Sequence, residues 1–167
     1  TKVGRRLDPV PGGTDLSGLR QAFVTPEPYE SVFDYSYDAV MRSFEASRAR
    51  LRRERIDILY AHDLGRMAHG DDHPRRFAEF MEGGYRALRE LRAAGVVGAV
   101  GLGVNETAVC EEMLAVGEID VVLLAGRYTL LEQDALASFL PLCAARVVKI
   151  VLGGPYNSGI LAKGVRH

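Results

Sequence analysis

Two side chains in this chain close short apolar runs, a third sits at the mouth end of a short opening strand, and each is of a type that handles protons or hydrogen bonds. The run IDILYAHD (56–63) ends in His62 and Asp63, TKVG holds Lys2, and the run VVGAVGLGVN (96–105) ends in Asn105. An imidazole at the end of a buried strand can hold a substrate oxygen by a hydrogen bond; the plainer use is a core histidine satisfied by a backbone carbonyl. A lysine in a partly apolar pocket lowers the pKa of a neighbouring phenol or acts as a positive clamp, whereas a surface lysine does neither. The Asn105 amide offers both a donor and an acceptor, which suits a carboxamide and equally suits the N-cap of a helix starting at Glu106.

Other candidates read as structural. His69 and His73 flank Asp71 and Asp72, a metal-like set on paper, but the connection they share has no fixed helical register, so no metal site is expected. Asp71 or Asp72 is better used to start the helix that follows Pro74. The run Arg48, Arg50, Arg52, Arg53 and Arg55 reads as a solvated helix face. Cys110 and Cys143 fall in helices and read as small core residues, and no Cys-x-x-Cys pair exists.

The elements that must position these groups alternate. Residues 5 to about 36, rich in Pro and Gly, read as one long loop. Tyr37 to about Arg53 reads as a helix on the spacing of Val40, Phe44 and Leu51, capped by Asp34 or Ser36. Strands follow at 56–63, 96–105, 119–128 and 147–154. The segment from Gly65 to Pro74 reads as a loop. Helices are expected over Pro74–Ala94, Glu106 to about Val116, and Gln133–Ala145, with Gly95 and Gly117 as stops. Near-unbroken apolar strands separated by amphipathic helices imply parallel pairing with right-handed crossovers. An open doubly wound sheet would need a phosphate turn, and GLGVNE (101–106) lacks its third glycine. Polar residues repeatedly close the strands, as expected at the mouth of a barrel. The α/β class, of (β/α)8 type and in one domain over 1–167, is therefore the expectation.

The 167 residues are 47% hydrophobic and 26% charged, enough for a packed core. A formal charge of −1 argues against a nucleic-acid or anionic-membrane partner. Of 21 basic residues only Lys2, Lys149 and Lys163 are lysine. No apolar run reaches the roughly 20 residues of a membrane span, and no hydrophobic signal segment follows the polar N-terminus, so a cytoplasmic protein is expected.

TKVG, DILYAHD, GLGVNE, LLAGRYTLLEQ and GGPYNSGIL, in this order, resemble the aldo-keto reductase superfamily, and within it the bacterial L-fucose and D-threo-aldose dehydrogenases with their pyridoxal dehydrogenase relatives. The resemblance implies a barrel that binds NAD or NADP without a Rossmann domain and passes hydride between the nicotinamide and a carbonyl or hemiacetal carbon of a small sugar or carbonyl substrate. It implies that Lys2 tunes a tyrosine acid/base and that His62 orients the substrate oxygen. Asn105 would hold the nicotinamide carboxamide, with Pro155, Tyr156, Asn157 and Ser158 near the cofactor pyrophosphate. Departures accompany the matches: Val104 stands where the wider family often has Ser, Ala125 where it has Gln, and Gly153 near its stacking aromatic. Lys2 would close the third strand, so the chain would supply roughly strands 3 to 7. The tyrosine and its supporting aspartate would lie before it, and an eighth strand after it. Tyr29, Tyr35 and Tyr37 are not assigned the acid/base role. Five strands with two open edges are expected to be poorly stable alone, so the sequence reads as an incomplete one. Two other readings stay open: a non-catalytic nucleotide-binding or interaction module on the same scaffold, and a phosphate-binding barrel isomerase or lyase using GGPYNSG.

Overall fold

The computed structural model describes residues 1–12 and 28–164. Its centre is a parallel sheet of five strands: β1 (Lys2–Val3), β4 (Ile56–His62), β5 (Val97–Val104), β6 (Val121–Ala125) and β7 (Lys149–Gly153), in that spatial order. Each later strand pairs with its predecessor after a helical crossover, the succession of a (β/α) barrel wall. Because all five run the same way, their C-terminal ends share one rim.

Residues of alternate parity along a strand face opposite sides of a sheet. Leu59 and Ala61 of β4, Val100 and Leu102 of β5, and Val122 and Leu124 of β6 join Phe44, Phe80, Leu88, Met113 and Phe139 in one buried core. Lys2 is in register with Tyr60, and His62 with Gly103, so these residues share the other face. The apolar run that marks each strand therefore fixes which face its polar terminus presents.

The helices follow from caps and spacing. In α1 (Tyr37–Leu51) Ser36 is extended and its Oγ accepts from the Ala39 N–H at 3.3 Å, while Asp38 lies in the first turn and Arg48 and Arg50 in the last, each charge opposing the local helix dipole. Asp34 does not cap the helix; it accepts from the N–H and hydroxyl of Ser36 and so holds the cap itself. Of the arginine run, Arg48 pairs with Glu45 and Arg55 with Asp57 at the surface. No helix of the described residues is long and apolar enough to cross a membrane.

Four segments depart from the sequence reading, one being the helix expected over Gln133–Ala145, which is a 3-10 turn at Asp134–Leu136 and a shorter α-helix after it. The expected long loop of 5–36 contains a hairpin, β2 (Arg5–Pro9) antiparallel to β3 (Tyr29–Phe33), in register from Arg5 opposite Phe33 to Pro9 opposite Tyr29. The part of that loop reading covering residues 13–27 lies outside the described residues. The expected loop between β4 and the next long helix holds a short helix, α2 (Arg66–His69), started by the Glu106 carboxylate, which accepts from the Met67 N–H at 2.8 Å. The single helix expected over Pro74–Ala94 is α3 (His73–Glu79) and α4 (Tyr85–Ala93) joined by a π turn at Phe80–Gly84. Asp72 starts α3 through ion pairs to Arg75 and Arg76 rather than by a capping hydrogen bond. The remaining helices are α5 (Ala108–Val116), α6 (Phe139–Ala145) and the short α7 (Ile160–Lys163).

Candidate active site

The C-terminal rim brings Lys2, His62 and Asn105 into one chain of polar contacts through Asp63. The Lys2 Nζ lies 3.2 Å from the His62 Nε2. That nitrogen is also 3.3 Å from the Asp63 Oδ2, and the Asp63 Oδ1 accepts from the Asn105 Nδ2 at 3.3 Å. Register makes this possible: β1 and β5 flank β4 on either side, and a Cβ at Gly103 would come 3.3 Å from the Lys2 Cε. A larger residue at 103 would push the lysine stem aside.

One hydrogen cannot serve both contacts of the His62 Nε2. Burial pushes the imidazole below its ordinary value of 6.5, the Asp63 carboxylate pulls it up, and Lys2 and Arg5 push it down again. Burial favours a neutral ring; where its Nε2 accepts from the Lys2 ammonium, the Asp63 Oδ2 lies beside that nitrogen with no hydrogen between them.

Asn105 does not cap the following helix, which begins at Ala108 after Thr107. Its side-chain amide donates to Asp63, and its backbone carbonyl accepts from the Arg127 Nε at 2.8 Å. Asn105 borders two adjoining clefts. One of about 280 Å³ is lined by Arg5, Phe33, Asp63 and Glu106, and one of about 350 Å³ by Arg127, Glu132 and Asp134.

Sequence reasoning assigned no role to two charged groups of the site. Asp63 was legible beside His62, but its backbone φ of 49° was not; Asp tolerates that left-handed turn because its short side chain bonds locally. Arg5 carried no signal, since it reaches the site only through the hairpin: its NH1 is 3.4 Å from the Asp63 Oδ2, its NH2 donates to the Ser31 Oγ at 3.2 Å, and it lies over the Phe33 ring.

Pro155, Tyr156, Asn157 and Ser158 follow β7 at the same rim. Asn157 and Ser158 have φ of 47° and 55°, Tyr156 is 61% exposed, and the buried Asn157 Oδ1 has no hydrogen-bond partner. Among the described residues, no hydrogen bond or ion pair joins this segment to Lys2 or His62. His69 and His73 separate rather than gather: His69 meets Tyr35, while buried His73 spans the Leu64 carbonyl and the Glu112 carboxylate. Cys110 and Cys143 are buried, and burial pushes the Cys143 thiol up to about 11 and Cys110 further, so neither is a nucleophile at neutral pH.

The chain is 46% identical over 163 residues to pyridoxal 4-dehydrogenase of Microbacterium luteolum, covering 96% of this chain and 46% of that protein. It is 35% identical over 167 residues to D-threo-aldose 1-dehydrogenase of a Pseudomonas species, covering 98% of this chain and 47% of that protein. It thus spans about half the length of the curated relatives it matches. The holo form of aldo-keto reductase AKR11C1 from Bacillus halodurans superposes with a TM-score of 0.67 at 22% identity, over 97% of this chain and 44% of that one, so the five-stranded wall is a partial (β/α)8 barrel. Residues 1–167 match the Aldo/keto reductase family, and the chain belongs to it.

Proposed function

We propose that this chain carries the oxygen-handling part of an NAD(P)-dependent oxidoreductase site that moves hydride between a nicotinamide and the carbonyl carbon of an aldose, aldehyde or ketone. The observation that carries this reading is the contact of the Lys2 ammonium with the His62 ring beside Asp63 and Asn105.

NAD or NADP, when bound, supplies or accepts the hydride. The residues present offer such a group one unmatched atom: the Asn157 Oδ1 is buried without a partner, an acceptor that would take a hydroxyl or N–H donor of the cofactor. Pro155, Tyr156, Asn157 and Ser158 would hold its pyrophosphate and Asn105 its carboxamide. Lys2, donating into the His62 Nε2, keeps the imidazole neutral with its remaining hydrogen on Nδ1, a donor for the reacting oxygen. The Lys2 charge stabilises negative charge that develops on that oxygen or on a phenol acid/base beside it. Asp63 pairs with Arg5 and offsets part of the positive charge that Lys2 and Arg5 place on the His62 ring. The relatives are named for pyridoxal and for D-threo-aldoses. The alternating donors and acceptors of Arg5, Asp63 and Asn105 suit a small carbonyl compound bearing hydroxyls.

The test is turnover by the intact protein with NAD or NADP and a panel of aldoses and aldehydes, followed by reduced-nicotinamide absorbance. His62→Ala is expected to lower kcat about a hundredfold or more, and Asn105→Ala to raise the KM for cofactor. Full activity in His62→Ala would overturn the role of His62. Cofactor binding without turnover would favour the non-catalytic nucleotide-binding module instead.

A further inference from the structure

Tyr35 is completely buried, yet its hydroxyl ends on the backbone of the candidate site. It lies 2.7 Å from the His62 carbonyl, 3.1 Å from the Asp63 carbonyl and 2.9 Å from the His69 Nε2. Carbonyls only accept, so the single hydroxyl hydrogen goes to one of them, and the shorter contact assigns it to His62. The Tyr35 oxygen must then accept from His69, which places a hydrogen on the His69 Nε2. A directed chain results, from the His69 N–H to the Tyr35 oxygen and from the Tyr35 O–H to the His62 carbonyl.

Both ends of this chain are fixed from elsewhere. The Tyr35 N–H donates to the Glu79 Oε1 at 3.0 Å, and Arg76 holds that carboxylate. A Cβ on Gly83 would come 2.5 Å from the Tyr37 nitrogen, and one on Gly84 would come 2.7 Å from the Tyr35 carbonyl oxygen; the two glycines of the π turn let the backbone of 35–37 lie directly against it. The Tyr35 ring covers Gly4, whose φ of +89° ends β1 just past Lys2. His69 is set edge-on to Phe33 of the hairpin, ring centres 4.5 Å apart. Tyr35 therefore touches the end of β1 that carries Lys2 and the end of β4 that carries His62.

We propose that Tyr35 and His69 form a latch that positions His62 and the left-handed Asp63 turn against Lys2. Tyr35 is a positioning residue and not the acid/base: its hydroxyl is spent on backbone, and burial beside Asp63 pushes its ionisation far up. Loss of the latch frees the His62–Asp63 turn to rotate, which opens the ring to water and lengthens the Lys2 contact. The groups facing the His62 ring are Asp63, Lys2 and Arg5, and those around His69 are Arg76, the Asp63 carbonyl, which the ring also meets, Asp72 and His73. The kinetic half of this inference rests on the oxidoreductase reading above; the titration half does not.

The test is the titration of His62 by imidazole NMR in the intact protein, with Tyr35→Phe, His69→Leu and His69→Gln. Tyr35→Phe and His69→Leu are expected to move the His62 midpoint up toward its ordinary 6.5, with the fold retained by circular dichroism. His69→Gln, whose amide can donate to the Tyr35 oxygen, is expected to keep the wild-type midpoint. In turnover the first two lower kcat about ten- to hundredfold, as a misplaced reacting group does, and leave KM within roughly twofold. A His62 midpoint in His69→Leu equal to that of the wild type would overturn the latch, even if Tyr35→Phe fails to fold. Inactive wild-type protein would remove the proposed reaction, while the titration still decides the latch.

Discussion

The two ends of the sheet are built differently. At the β1–β4–β5 end, Leu59, Ala61, Val100 and Leu102 are fully buried, and the rim above them is tied by side chains from Lys2 through His62 and Asp63 to Asn105. At the β7 end, Val151 is 40% and Leu152 44% exposed, Ile160 of α7 is 47% exposed, and the buried Asn157 oxygen has no partner. The first end is preorganised by the chain's own packing, which a group acting on a reacting atom needs. The second end offers apolar surface and an unmatched polar atom, and its candidate role is to receive a cofactor. Geometry that must be exact within a fraction of an ångström is thus carried by the deepest core.

Breaking that core should produce the largest effect. Phe80 is fully buried in the π turn, edge-on to Tyr35 with ring centres 6.2 Å apart and tilted against Tyr85 at 6.1 Å. Phe80→Ala should destabilise the chain by about 3–5 kcal/mol, the transfer cost of the ring plus the cavity beneath Tyr35. Urea denaturation followed by circular dichroism reads this directly. A loss below about 1 kcal/mol would mean that the core at this end collapses easily, and the contrast between the two ends would lose its basis.

A subtler probe of the same end is pH. Burial pushes both His62 and His69 below their ordinary value of 6.5, so the folded chain resists protonation at these rings. The unfolded chain takes up protons near 6.5 and the folded chain only at lower pH. Stability is therefore full above that value and falls as pH drops through the window between 6.5 and the folded midpoints. Denaturation midpoints across this range should decline toward acid, and His69→Gln should flatten the decline. A midpoint independent of pH over this window would show that neither ring is held in a desolvated state.

Much of this was readable from residues in order. The strands at 56–63 and 96–105 announced themselves as apolar runs, and the residues closing them put His62 and Asn105 at one rim, because near-unbroken strands joined by helical crossovers run the same way. What escaped was long-range. Arg5 and Phe33 pair across a hairpin whose strands RRLDP and YESVF carry no clean alternation. The π turn at Phe80–Gly84 is set by the approach of residues 35–37 to Gly83 and Gly84, a contact that a helical period does not encode. Tyr35 looked like one of three tyrosines in a loop region, since nothing local reveals that its hydroxyl meets β4.

The smallest effect should come from the β7 end, and it sharpens the contrast from the other side. Leu152 is 44% exposed, so Leu152→Ser removes little buried apolar surface and leaves no sealed cavity. Surface changes of this kind fall within about 0.5 kcal/mol, against the several lost at Phe80. The same substitution is expected to leave the His62 titration unmoved, because β5 and β6 stand between β7 and β4. Should Leu152→Ser cost as much as a core truncation, its side chain must be covered in the folded protein by something that packs over β7. The apolar face of that strand would then be an interface as demanding as the core under Tyr35, and the asymmetry between the two ends would lie in what covers them rather than in how they are packed.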